Sequence, residues 1–226
     1  MKLTYYIVFA LALCFTAILE AKPTRFIVYD KPGNLPEELF MYVNGKLHGE
    51  ITLREKNFGE EVEIKESGEM KILFSDRVFE QDEEIPAGYP TMLVPEGWSK
   101  FLTIAVGDLT NENLPLEFHP VNASSNFFEN SDYLIVNRSE NVLVGDFGPE
   151  KILVGPKKMK VYKMAKYHNQ LLDIIIDYVR PNDGNKRRWG IAKGWRVLKD
   201  RRTLVFFFSP PGRKTVTYFS TQLKKF

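Results

Sequence analysis

Apolar and polar side chains alternate in one short run after another along this chain, and no long stretch carries the 3.6-residue spacing of an amphipathic helix. Alternation sends successive side chains to opposite faces of an extended strand. The runs fall at residues 25–30, 39–43, 50–55, 61–66, 70–75, 100–107, 115–121, 132–137, 141–147, 150–154, 158–164, 171–179, 188–198, 203–209 and 214–220. So many short strands between turn residues predict an all-β chain built of antiparallel sandwiches. LLDIIIDYV at 171–179 is long enough for a helix. Its three consecutive isoleucines, stiff at χ1, favour a strand with Leu172, Ile174, Ile176 and Tyr178 facing inward.

The turns fit this pattern. Asn44-Gly45 supplies the positive φ angles of a tight hairpin, Asn182-Asp183-Gly184 suits the loop before the strand at 188, and Pro210-Pro211-Gly212 separates the last two strands. Residues 76–98 read as a long surface connection. The two halves also resemble each other. LFMYVNGK, from residue 39, sets beside DYLIVNRS, with Val43 matched to Val136, and KFLTIAVG beside RTLVFFFS, with Leu102 matched to Leu204. The expected architecture is two tandem antiparallel β-sandwich domains, Ig-like or transthyretin-like, after an N-terminal signal peptide at 1–21. The domains are 22–121 and 122–226, with the boundary in the polar stretch 122–130.

The leader expectation rests on Lys2, an apolar run from Ile7 to Leu19, and the small residue Ala21. That run is short for a membrane span, although an uncleaved anchor is the alternative. Leu13 argues against lipid attachment at Cys14. Cys14 is the single cysteine, so a mature chain would hold no disulfide and would depend on its core. No transmembrane segment follows, because Asp173 and Asp177 interrupt the most apolar internal stretch. The expected location is periplasmic or extracellular.

The formal charge of +2 hides an asymmetry. Residues 22–121 hold 10 Lys/Arg and 19 Asp/Glu, a balance of −9, whereas 122–226 hold 20 and 9, a balance of +11. Opposite signs favour docking of the two halves at short range, or an anionic partner on the second. Two clusters carry the positive charge, Lys157 to Lys166 and Lys186 to Arg202.

The second cluster contains KRRWGIAKGWR. Strict alternation puts Trp189, Ile191, Trp195 and Val197 on one face, with Arg188, Arg196 and Leu198 on the other. Burial would make the indoles core residues, and Gly190 or Gly194 would leave room beside the rings or mark a bulge. Exposure would let Trp189 and Trp195 stack on sugar or base faces while Lys186, Arg187, Arg188, Arg196, Arg201 and Arg202 neutralise an anion. In an exported chain acidic glycans or lipopolysaccharide phosphates fit better than nucleic acid.

Catalytic and cofactor motifs are absent: no HExxH, GxSxG elbow or phosphate-cradling glycine loop occurs. His48 with Glu50 and Glu117 with His119 share strand faces where a metal could sit, but the expected reading is solvated strand positions. His168 stands apart. EQDEE at 80–84 has oxygen ligands for calcium but lacks the spacing and glycine of a dedicated loop. Asn122-Ala-Ser124 and Asn137-Arg-Ser139 match the glycosylation acceptor pattern.

The VNGK hairpin followed by an alternating strand, and the W-x5-W strand before an Arg-rich turn, resemble secreted two-domain β-sandwich proteins of environmental bacteria. The resemblance is architectural and implies no catalytic residue or cofactor. The sequence thus points to a non-catalytic exported binding or structural module of the cell envelope. A binder of anionic glycans or lipopolysaccharide through the basic half is one alternative, and a hydrolase with a site between the halves is another. Self-association, acidic half to basic half, is a further partner expectation.

Overall fold

The computed structural model describes residues 21–33, 35–80, 83–184 and 186–224. Residues 1–20 of the expected leader, Cys14 among them, and Gln81 and Asp82 of the acidic run lie outside the described residues. In chain order the strands of the first half are β1 (Lys22–Tyr29), β2 (Glu38–Val43), β3 (Lys46–Thr52), β4 (Glu61–Ile64), β5 (Met70–Ser75), β6 (Thr91–Val94), β7 (Phe101–Gly107) and β8 (Leu116–Asn122). Those of the second are β9 (Tyr133–Asn137), β10 (Val142–Phe147), β11 (Glu150–Val154), β12 (Met159–Tyr162), β13 (Leu171–Val179), β14 (Arg187–Arg196), β15 (Arg202–Phe208) and β16 (Thr217–Leu223). One 3₁₀ turn, Ala165–Tyr167, precedes β13.

The chain is all-β and forms sandwiches. Sheets β4-β1-β7-β8 and β3-β2-β5-β6 make the first; β12-β9-β15-β16 and β11-β10-β13-β14 make the second. Each strand of the second half repeats the place of the strand eight earlier. This order departs from the Ig arrangement, in which the first strand shares a sheet with the second, fifth and fourth. Pairing is antiparallel except for β1 with β7 and β9 with β15, which are parallel. Strand β6 lies inside the segment read as a connection. It is four residues long, sits at a sheet edge and is bracketed by Pro90 and Pro95, so it gives little periodic signal.

The repeat corrects half of the sequence match. Leu102 and Leu204 do occupy equivalent places on β7 and β15. Val43, however, ends β2, whose counterpart is β10, and Val136 belongs to β9, the counterpart of β1. Both β2 and β9 are short apolar runs ending at a Val-Asn pair, so a slip by one strand leaves the match looking intact.

Among the described residues the buried side chains form three interiors. Phe26, Met41, Ile72, Phe74 and Phe118 anchor the first sandwich, with the rings of Phe74 and Phe118 stacked at 3.7 Å. Leu143, Ile174, Ile176, Ile191 and Phe207 anchor the second. A third lies between sandwiches, where Ile27, Leu102 and Ile104 meet Leu134, Val136, Leu204 and Phe206. The central strands β7 and β15 of the two inner sheets are therefore buried on both faces, which is why they are mostly apolar along their length. Apolar burial joins the halves, and the ion pair from Arg138 to Glu117 across the seam is loose, at 3.9 Å. The stretch 122–130 is pinned as well. Arg202 Nη1 donates to the carbonyls of Ala123 (2.9 Å) and Phe128 (2.7 Å), and the Ser99 amide donates to Ser124 Oγ at 3.1 Å.

Candidate functional site: the outer edge strand and the seam

Among the described residues strand β14 is one of the two edges of the outer sheet of the second sandwich. Its pairing with β13 slips between Ile176 and Asp177: Ile176 faces Ile191, but Asp177 faces Trp189. Gly190 is the extra residue of a β-bulge. A Cβ there would lie 2.6 Å from the Ile176 carbonyl oxygen, so a residue with a side chain does not fit without moving backbone. The bulge inverts the phase of alternation. Trp189 is turned away from Ile191 onto the outer face, where it is 72% exposed. The strict alternation that placed both tryptophans beside Ile191 and Val197 is thereby corrected.

Trp195, past the bulge, packs on the second interior. Its indole stacks on Tyr133 at 5.8 Å and meets Phe147 edge-on at 6.5 Å. The two indoles thus do different jobs. One is half-buried against the core and the other is exposed.

The cationic candidates divide along the strand. Lys186 and Arg187 are exposed at its start, beside Trp189, and Arg188 is held by Asp183, to which Nε donates at 2.9 Å and Nη2 at 2.5 Å. Arg196 ends the strand, roughly 30 Å away at ~3.4 Å per residue, and its Nη1 donates to the Asn169 carbonyl at 2.8 Å. Arg201 Nη1 donates to Gln222 Oε1 at 2.8 Å. Arg202 is buried in the seam, where its desolvation lowers its pKa. Arg196, Arg201 and Arg202 therefore cannot share one ligand group with Trp189, Lys186 and Arg187.

A second arrangement lies at the loop end of the seam between the sandwiches. Glu117, His119, Arg138 and Lys157 line a cavity of about 290 Å³ there. His119 is not the solvated strand residue expected. It is 2% exposed, its ring 5.6 Å from that of Phe206, because the β8 face it occupies packs against the second sandwich. Its Nε2 lies 3.5 Å from Glu117 Oε2, and its Nδ1 has no hydrogen-bond partner among the described residues. Burial, and then the positive charge of Arg138 and Lys157, lowers its pKa to about 3, which keeps the imidazole neutral. Burial raises the Glu117 pKa, against the pull of Arg138 and Lys157. A neutral imidazole of such low basicity is a weak general base near pH 7. Sequence reading named Glu117 and His119 for a metal but missed Arg138 and Lys157, which only the stacking of the halves brings to them.

Other candidates are engaged elsewhere. His48 Nε2 is 3.0 Å from the Glu63 carbonyl oxygen, and His168 Nε2 is 2.5 Å from Ser131 Oγ. Arg77 takes the Glu83 carboxylate of the acidic run at 2.6 and 3.2 Å, and this pairing, reinforced by the Glu80 amide, lowers the Glu83 pKa. Among the described residues no three His, Cys, Asp or Glu side chains come together to hold a metal ion. Asn137 is buried, its Nδ2 donating to the carbonyls of Asn141, Val154 and Gly155, so the second acceptor pattern is closed to a glycan in the folded chain.

Fold and surface together define a tandem β-sandwich protein with one bulge-turned indole on an outer edge. No protein-family model matches this chain, and no curated protein matches it in sequence.

Proposed function

We propose that this chain is an exported, non-catalytic binding module of the cell envelope that recognises an anionic glycan through the outer face of β14. The observation that carries the reading is the Gly190 bulge, which exposes Trp189 between Lys186 and Arg187 on one side and Asp177 opposite. An indole 72% exposed offers a flat apolar face to a sugar ring, while the two cations attract acid groups and Asp177 accepts from hydroxyls. An indole has only two side-chain torsions to fix, so it loses little entropy on binding. Titration of the protein with polygalacturonate or lipopolysaccharide, followed by isothermal titration calorimetry, tests the reading. Binding should weaken about tenfold or more in Trp189→Ala and fall steeply with added salt. Equal binding by Trp189→Ala would overturn it.

The hydrolase reading has the seam cavity in its favour, where a carboxyl of raised pKa meets a buried imidazole. Its residues would be Glu117 as the acid and Arg138 as the anchor for substrate. The low basicity of His119 places this reading second.

A further inference from the structure

Beside the seam, at the same end of the second sandwich, the β13–β14 and β15–β16 loops line an open hollow of about 470 Å³. Arg180, Arg213 and Lys214 line it, together with Asp183 and Glu140. Both acids are already neutralised. Arg188 holds Asp183, lowering its pKa, and Lys157 Nζ lies 3.1 Å from Glu140 Oε1. Three cations are left to set the field inside. Arg180 also braces the far wall, its Nη2 donating to the Lys214 carbonyl at 2.6 Å, and the Pro210–Arg213 turn is closed by the Arg213 amide donating to the Pro210 carbonyl at 3.0 Å. Gly212, at φ +71°, permits that turn. The seam cavity has no such surplus, because Asp108, Glu117 and Glu140 face Arg138 and Lys157 there.

We infer that this loop-end hollow is an oxyanion site, built to hold the phosphate or carboxylate group of an envelope saccharide. Arg213 and Lys214 carry the anion and Arg180 shapes the wall behind them. The inference rests on the reading of Trp189 as the sugar-stacking residue and extends it: Lys186, whose amide donates to the Asp183 carbonyl at 3.0 Å, stands three residues before Trp189. At ~3.4 Å per strand residue Lys186 and the indole are roughly 10 Å apart along the strand. An arginine fork accepts such planar or tetrahedral groups through paired N–H donors.

The test separates the two parts of the site. Backbone ¹⁵N shifts of the protein are followed against inorganic phosphate, with sodium chloride at matched ionic strength as the reference. Saturable shifts at Asp183, Arg213 and Lys214, and a dissociation constant raised about tenfold or more in the Arg213→Gln/Lys214→Gln variant, are expected. Displacement of phosphate by polygalacturonate identifies a carboxylate source, and displacement by lipopolysaccharide a phosphate source. Trp189→Ala should keep phosphate binding and lose glycan binding. Shifts that stay linear and match those in chloride, or an unchanged constant in the double variant, overturn the oxyanion site alone. Glycan binding indifferent to Trp189→Ala overturns the platform alone.

Discussion

Phe206 probes the claim that the two sandwiches share one interior. Its side chain is fully buried in the seam, with ring centroids 5.4 Å from Phe219, 5.9 Å from Phe208 and 5.6 Å from His119. Phe206→Ala empties that position, and rigid sheets on either side cannot collapse into the space. Loss of the transferred ring plus the cavity left behind costs about 3–5 kcal/mol. For a body of this size each kcal/mol lowers Tm by roughly 2–4 °C, so a fall of about 6–20 °C is expected. Urea unfolding followed by tryptophan fluorescence and by far-UV circular dichroism supplies the assay. Trp98 reports on the first sandwich and Trp195 on the second, so a shared interior gives one coincident transition that moves to lower urea with its slope unchanged. Two separate transitions in the unsubstituted protein, only one of them moved by Phe206→Ala, would refute the shared interior. A loss under about 1 kcal/mol would refute it too.

Acid should loosen the same seam through His119, which faces Glu117 on its own strand and Arg138 and Lys157 across the cavity. Unfolded, the imidazole takes up a proton near 6.5; folded, it does so only near 3, so the unfolded chain binds more protons between those values and stability falls as pH drops through that window. His119→Phe, which copies the Phe219 found at the equivalent place on β16, should flatten the dependence of Tm on pH over that range; an unchanged slope would contradict the assignment. Gly190→Ala should cost about 1–3 kcal/mol, since the added methyl meets backbone. It should also alter iodide quenching of Trp189, and unchanged stability together with unchanged quenching would remove the bulge from the account.

Legibility followed what local chemistry can encode. The inward face of β13, Leu172, Ile174, Ile176 and Tyr178, was readable because side-chain direction in a strand is fixed by the residue before it. Strand β14 was misread for the same reason, since one added residue at Gly190 reverses every direction on one side of it. The glycine was the available signal, and it names a bulge without saying which neighbouring carbonyl makes one necessary. At the site, Trp189, Lys186 and Arg187 are close in sequence and were found together. Arg180, Arg213 and Lys214 come from separate loops, and nothing local ties them to one another.

The amino-acid order by itself determined that the chain is all-β, where most strands lie and how charge divides between the halves, because each depends on neighbours along the chain. Only the tertiary structure decided that β7 and β15 are covered on both faces, that apolar surface joins the halves, and that His119 is kept neutral. Those outcomes depend on which surfaces meet after the strands have formed. Alternation says that a face is apolar, and it is the packing of one sheet on another that settles what the face is buried against.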